Sequence, residues 1–355
     1  MGIFDAMRAQ GHEQLLFCHD KTSGLRSIIA IHDTTLGPAL GGCRMLNYPS
    51  EAEAIADALA LSRGMTYKSA ASGCDYGGGK AVIWGDPATG KSEALFRSFG
   101  RFVQTLGGRF ITGTDVGTVA ADFVDSLAET EWLVALPESH GGSGDSSLTT
   151  AIGVVSGMRA CLEEVFGDDT FRGRTVAVQG LGKVGRHLVG YLHEAGAKIY
   201  GCDKDAAAVE RAVAEYGIAP VSADGIFDVE CDIFSPNALG QVISAATLPR
   251  LHCRIVAGAA NNQLAGGECG EGLRARGILY APDYVINAGG LIQAADELHG
   301  FNRDRATRKA MGIYDLLKRI FAIARAEGVT TYKAADMLVE ERLATLGVLL
   351  RIHLP

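Results

Sequence analysis

Two lysines, Lys68 and Lys80, lie in the stretch Arg63 to Lys80, RGMTYKSAASGCDYGGGK, separated by small residues and a triple glycine. In a cleft, one ammonium can clamp an anion while the other moves a proton. The second role requires burial or a cationic neighbour to lower the lysine pKa. Two lysines lining one cleft would each supply that neighbour. Gly77, Gly78 and Gly79 lack a Cβ, so backbone there can approach another backbone or a ligand closely. The same composition also fits two solvated lysines beside a flexible turn. A third candidate is Asp115, in Gly113-Thr114-Asp115-Val116-Gly117-Thr118. An aspartate between two glycines at a strand end can face a cleft or close an Asx turn, and the local sequence favours the turn.

A second constellation spans Thr175 to Asp203. TVAVQG reads as a strand, Gly180-Leu181-Gly182-Lys183-Val184-Gly185 follows it directly, and a helix runs on to about His193. KIYGCD then forms a second strand ending at Asp203. A glycine fingerprint between strand and helix, with an acidic residue about 20 residues on, predicts a dinucleotide site. The helix N-terminus would face the pyrophosphate. Asp203 would accept from a ribose hydroxyl and repel a 2′-phosphate, which favours NAD over NADP; the adjacent Lys204 tempers that preference.

The elements that must position these residues alternate strand and helix. Ser27 to His32 is an apolar, β-branched run and predicts a buried strand leading into a glycine-rich loop over 34–45. Ser50 and Glu53 form a capping box for a helix that delivers the chain to Lys68. AVIW after Lys80 predicts another strand. Leu95, Phe96, Phe99, Phe102, Val103 and Leu106 recur at helical spacing and read as core. HGGSGDSS, residues 140–147, is the first candidate hinge, and Thr150 opens the helix after it. Short strands at 232–234, 255–257 and 278–280 end in the loops SPNALG, GAANNQ and APDYVINAGG, at strand ends where open α/β sheets bind ligands. Leu291 starts a helix that carries Ala294. Two helical stripes follow, one through Ile313, Leu317 and Ile320, the other through Ala335, Leu338 and Val339.

Composition excludes several classes. The chain has 355 residues, 47% hydrophobic and 21% charged, with a formal charge of -8. That is a globular, two-domain profile without a basic run for nucleic acid. No stretch reaches the length of a membrane span, and the N-terminus has no secretory pattern. The eight cysteines form no CxxC pair and the histidines no HExxH. Free thiols, a cytoplasmic location and no metal are the expectation.

With both constellations in hand, the chain resembles the Glu/Leu/Phe/Val dehydrogenase family, in its leucine/valine/phenylalanine branch. The matching stretches include GHEQLLFCHD, AIHDTTLGPALGGCRM, RGMTYK, YGGGK, TGTDVGT, VQGLGKVG, CDIFSP, GAANNQL and YAPDYVINAGGLIQAADELHGF. The resemblance implies reversible, NAD-dependent oxidative deamination of an L-amino acid to a 2-oxo acid and ammonia. It implies that Lys68, with the N–H groups of Gly41 and Gly42, binds the substrate carboxylate. Lys80 would be the general base that activates water, and Asp115 would hold the α-amino group and shuttle its proton. Asn262 would fix substrate and nicotinamide, and Thr150 and Asn287 would contact the nicotinamide end. Gly180, Gly182, Lys183, Val184, Gly185 and Asp203 would hold the rest of NAD. The side-chain pocket maps to Leu40, Gly113, Leu291 and Ala294. Leu40 brings no cation for a glutamate side chain. Gly113 and Leu291 are phenylalanine-like, with Gly113 expected to vacate a methyl and make room for a ring. Two positions depart from the family pattern: Ala294, where valine is usual, and Asn237, where cysteine is usual.

The expectation is therefore an α/β enzyme of two domains. An N-terminal substrate and oligomerisation domain would cover 1–147, with 330–355 returning to it, and a Rossmann-type NAD domain 148–329. The preferred substrate is L-phenylalanine, with a branched-chain amino acid or tryptophan as rivals, and the chain is expected to form a homo-oligomer. The rivals outside the family are a catalytically silent nucleotide-binding protein and a 2-hydroxyacid dehydrogenase, for which no histidine–carboxylate base is evident.

Overall fold

The computed structural model describes residues 2–348 except Leu239; the end of the expected 330–355 return lies outside them. The chain divides into two compact units. The first runs to Asp145 and adds Gln293–Asn302 and the chain from Val339 on; the second comprises Ser146–Ile292 and Arg303–Leu338.

In the first unit the elements are α1 (Ile3–Gln10), β1 (Gln14–Asp20), β2 (Leu25–Asp33), β3 (Ala39–Leu40), β4 (Cys43–Leu46), α2 (Glu51–Ala71), β5 (Gly77–Trp84), α3 (Glu93–Gln104), β6 (Phe110–Ile111) and α4 (Ala120–Ser126). They build a mixed sheet in the order β1-β2-β5-β3-β6, with β4 also paired to β5. The apolar run of β2 is buried on both faces, and its residues sort by parity as a pleated strand requires. Ile28 and Ala30 pack with Ala54, Ala58 and Leu59 of α2. Ile29 and Ile31 pack with Phe96, Phe99 and Val103 of α3 and Phe123 of α4. Three layers result, with the central strand β5 between the two helical layers.

The structure refines three expectations here. The stretch over 34–45 is not all loop, because β3 and β4 run parallel to β5. Lys68 lies in the last turn of α2, the helix that Ser50 caps by accepting from the Glu53 N–H. The triple glycine is not a turn but the first half of β5, and Lys80 pairs with Ala30 in mid-sheet. The boundary between the units falls inside the 140–147 stretch, after Asp145, and Ser143 just before it is held in place. Ser143 is buried, and its N–H and hydroxyl both donate to Glu297, whose other oxygen accepts from Ala135 N–H at 2.8 Å.

The second unit opens with α5 (Ser147–Phe166) and continues through β7 (Thr175–Gln179), α6 (Lys183–Glu194), β8 (Lys198–Cys202), α7 (Ala206–Tyr216), β9 (Ala219–Pro220), β10 (Ile233–Pro236), β11 (Ile255–Val256), α8 (Gly267–Ala275), β12 (Leu279–Tyr280) and α9 (Asp283–Ile286). Helices α10 (Gly289–Glu297), α11 (Arg303–Met311), α12 (Ile313–Glu327) and α13 (Thr331–Gly347) follow in the chain, with α10 and α13 each running from the second unit into the first. The sheet is parallel in the order β12-β11-β10-β7-β8-β9. Strand order reverses beside β7, so the crevice at its carboxyl end is where a ligand of an open sheet binds. Among the described residues no helix is long and apolar enough to cross a membrane.

Two buried histidines behind α2 make the first unit acid-sensitive. His12 Nε2 lies 2.9 Å from Leu59 carbonyl and 3.1 Å from Ser62 hydroxyl, and His32 Nδ1 lies 2.8 Å from Thr66 hydroxyl. Burial lowers His12 from 6.5 to about 4 and lowers His32 as well. The folded chain keeps His12 neutral while the unfolded chain binds a proton, so stability falls as pH drops from 6.5 towards 4 and the His12 contribution then levels; His32 acts in the same direction. For His12 alone the loss is at most about 3 kcal/mol. Denaturant unfolding at stepped pH should show a shallower slope for His12→Gln than for wild type. Equal slopes would remove His12 from the account.

Candidate active site

Lys80 is nearly fully buried, yet it is not desolvated alone. Its Nζ lies 2.7 Å from Asp115 Oδ2. The TGTDVG loop reaches this point because it is tied to β4: Cys43 N–H donates to Gly113 carbonyl at 2.8 Å and Met45 N–H to Val116 carbonyl at 2.9 Å. Thr118 hydroxyl donates to Cys43 carbonyl and accepts from Asp115 N–H, both at 2.9 Å. That leaves the Asp115 carboxylate facing Lys80, so the side chain serves an ion pair and not merely a turn.

A second cation converges on the same oxygen. Arg44, on β4, donates through Nε to Asp115 Oδ2 at 3.1 Å. The other edge of its guanidinium is held by Asp57 of α2, at 3.2 and 3.0 Å from Nη1 to the two carboxylate oxygens. Tyr48 donates to Asp57 at 2.6 Å. Burial opposes the Asp115 charge, but Lys80 and Arg44 outweigh it and hold its carboxyl below the usual carboxylate range. The adjacent Cys43 thiol is pushed far up by burial and stays neutral.

Lys68 sits on the neighbouring element, α2. Helix α2 lies directly on β5, because a Cβ on Gly78 would sit 2.1 Å from Thr66 hydroxyl and 2.2 Å from its backbone nitrogen. Closeness of these two backbones, rather than flexibility, is what the triple glycine provides. Of the two expected backbone donors, Gly41 is committed to the sheet, since its N–H donates to Ile111 carbonyl at 3.1 Å. Gly42 is the position left for that role. Leu40 is covered on all sides, pairing with Gly78 and Ile111.

The expected role of Gly113 is corrected. A Cβ there would not enter open space but would meet Val134 carbonyl oxygen at 2.4 Å. Gly113 is small because backbone crosses it, not because a ring needs the room. Gly113→Ala should cost about 1–3 kcal/mol of stability and depress turnover of phenylalanine and leucine alike. A variant of unchanged melting temperature that loses only phenylalanine would restore the pocket role.

The second unit holds the nucleotide half. Gly180 has φ +98°, the turn that starts the fingerprint, and a Cβ on Gly185 would lie 2.0 Å from Gly180 carbonyl. A Cβ on Gly182 would meet nothing within 4 Å, so the open face of the loop is at its second glycine, the N-cap of α6. Lys183 and Val184 begin that helix. Asp203 accepts from Leu181 N–H at 2.7 Å and from Asp205 N–H at 2.9 Å. A carboxylate so oriented retains lone pairs for ribose hydroxyls.

Asn287 is buried and donates to Ala259 carbonyl at 3.1 Å and Asn261 Oδ1 at 2.7 Å. Its own Oδ1 is buried with no partner among the described residues. An unpaired buried acceptor fits an amide donor such as the nicotinamide carboxamide. Thr150 is buried at the start of α5, and a Cβ on Gly290 would lie 3.3 Å from its hydroxyl. Asn262 stands exposed with φ 50°, its carbonyl accepting from Gln241 N–H at 2.6 Å. Asn237 has a contact of its own. It donates to Ser235 and accepts from Ala259 N–H at 2.8 Å, tying the loops after β10 and β11 together. These features suit NAD. Leu291 is buried and Ala294 partly exposed, both on α10. Among the described residues no group of three His, Cys, Asp or Glu is placed to hold a metal ion.

Arg44, Asp57, Tyr48 and Glu297 were not singled out from the sequence. For Arg44 the signal was present, an arginine directly after Gly41-Gly42-Cys43. Asp57 reads in sequence as one more polar helix residue.

Comparison with known proteins now bears on this geometry. Residues 12–135 match the family model for the Glu/Leu/Phe/Val dehydrogenase dimerisation domain, and residues 141–348 that for Glutamate/Leucine/Phenylalanine/Valine dehydrogenase. The chain is 52% identical over 346 residues to leucine dehydrogenase of Geobacillus stearothermophilus, covering 98% of this chain and 94% of that one. It is also 52% identical over 337 residues to phenylalanine dehydrogenase of Caldalkalibacillus thermarum strain TA2.A1, covering 94% and 91%. A crystal structure of L-tryptophan dehydrogenase from Nostoc punctiforme superposes with a TM-score of 0.84 at 43% identity, covering 97% and 98%.

Proposed function

This chain belongs to the Glu/Leu/Phe/Val dehydrogenase family and is an NAD-dependent amino-acid dehydrogenase, and from that premise we propose that it deaminates L-phenylalanine. The observation that carries the chemistry is the buried Lys80–Asp115 pair at 2.7 Å. Amino acid, NAD and water give 2-oxo acid, ammonium, NADH and a proton. NAD, held by Gly180, Gly182, Gly185 and Asp203, would supply the acceptor for the hydride leaving the substrate Cα. Lys68 binds the substrate carboxylate. Asp115 accepts from the α-amino group, and its lowered pKa keeps it an acceptor at neutral pH. Lys80 removes a proton from the water that adds to the imino carbon, and Asp115 carries a proton to the departing nitrogen. Water exclusion strengthens each of these charge contacts.

Two residues support a large apolar side chain over glutamate or a small aliphatic one. Leu40 is buried and offers no counter-charge to a carboxylate. Ala294 leaves one turn of α10 short of the bulk that the family's usual valine would supply. Gly113 no longer contributes to this preference. One methylene of pocket is worth about 1–3 kcal/mol, so discrimination against leucine is expected to be partial. The test is NADH formation from phenylalanine, tryptophan, leucine, valine and glutamate in parallel, together with Ala294→Val. The expected order puts phenylalanine first, and the variant moves preference towards leucine. A wild type that favours leucine by ten-fold or more would overturn the phenylalanine assignment and leave the deamination chemistry in place.

A further inference from the structure

We propose that Arg44 is a positioning residue for the deamination, holding Asp115 as the counter-charge that persists when Lys80 gives up its proton. The inference rests on the roles given above to Lys80 and Asp115.

The geometry is specific. Arg44 Nε and Lys80 Nζ both reach Asp115 Oδ2, at 3.1 and 2.7 Å. If Lys80 acts as a base, it is neutral during part of each cycle, and Asp115 then loses that ion partner. A buried carboxylate without a cation costs several kcal/mol or takes up a proton. Arg44 cannot lose its own proton in this range, so it remains as partner throughout. The sheet places it for this task. Strand β4 runs between β5, which carries Lys80, and the 113–116 segment, which leads to Asp115. Asp57 and Tyr48 fix the far edge of the guanidinium, so Arg44 cannot swing away with Lys80.

The charged and titratable groups around the pair are few. From β5 there is Lys80, and from β4 Arg44 and the neutral Cys43 thiol. Behind Arg44 stand Asp57 of α2 and the Tyr48 phenol, which burial and Asp57 keep protonated. From α4 comes Asp122, already paired with Lys91 at 2.6 Å. Removing the Arg44 charge therefore takes one cation from Asp115 and leaves Asp57 without its guanidinium partner. Asp115 then loses one of the two cations that hold its carboxyl low, and the site gives up its proton at higher pH.

The measurement is the pH profile of kcat/KM for wild type, Arg44→Gln, Arg44→Lys and Asp57→Asn, with melting temperature and NAD binding as controls. In Arg44→Gln the rising limb should move up by about one pH unit, and kcat should fall about ten-fold or more. Arg44→Lys should return the limb most of the way, because the charge is kept although the fork is lost. Asp57→Asn removes an anion from the same cluster and should move the limb the other way, by less. A limb that stays in place in folded Arg44→Gln or Asp57→Asn, whatever happens to melting temperature, would overturn the inference while wild-type turnover keeps the catalytic reading. Should Arg44→Gln fail to fold, Arg44→Lys and Asp57→Asn decide the matter by the same limb. A wild type without turnover on any amino acid would overturn the catalytic reading and this role with it.

Discussion

Replacing Lys80 by alanine should lower kcat/KM for the amino acid by about a thousand-fold or more while NAD still binds. The residue is 5% exposed and its ammonium faces a carboxylate, so no bulk water stands ready to take over its proton transfer. The substitution leaves Asp115 its Arg44 partner, so the carboxylate stays in place and the loss reports on the missing amine. Nucleotide binding should persist because the fingerprint glycines and Asp203 belong to the second unit. Stopped-flow NADH formation, with NADH fluorescence as the binding control, reads both. Turnover within ten-fold of wild type would remove Lys80 from the mechanism.

The second large effect concerns packing. Gly78→Ala should destabilise the protein by about 3 kcal/mol or more, and what folds should turn over poorly. The added methyl meets Thr66 hydroxyl at 2.1 Å, Thr66 nitrogen at 2.2 Å and Ser62 carbonyl at 2.5 Å, so helix backbone must move. Helix α2 carries Lys68 and strand β5 carries Lys80. Any shift that relieves the clash therefore changes the spacing of the two lysines. Gly64→Ala is the matched control, in the same helix with nothing within 4 Å of its added Cβ. It should gain about 0.5–1 kcal/mol from helix propensity. A Gly78→Ala variant as stable and active as Gly64→Ala would refute the close-packing account of the triple glycine.

Much of this was legible in the residues, for reasons that differ from place to place. The fingerprint glycines and Asp203 could be read because each residue type answers one local demand: a left-handed turn, a close approach, an acceptor at a strand end. The β2 run and the α3 aromatics could be read from periodicity. The placement of Gly77–Gly79 could not, since a glycine run in a strand and one in a turn look alike until something is seen packed against it. Gly113 misled for the same reason: sequence reports the absent methyl but not the Val134 carbonyl that occupies its place. Strand β1 went unread because its burial does not alternate cleanly along QLLFCHD. Arg44 and Asp57 lie 13 residues apart and act on a residue 71 positions from Arg44, a juxtaposition only the sheet creates. Glu297 is a polar residue near the end of an apolar helix, and its clasp on Ala135 and Ser143 is equally long-range.

The central claim is oxidative deamination at the Lys80–Asp115 pair. Its most direct test is the product balance of one reaction, L-phenylalanine with NAD, followed for NADH, ammonia and 2-oxo acid together. Equal amounts of all three from wild type, with none from Lys80→Ala, is the predicted result. NADH without ammonia, or ammonia release that survives in Lys80→Ala, would contradict it.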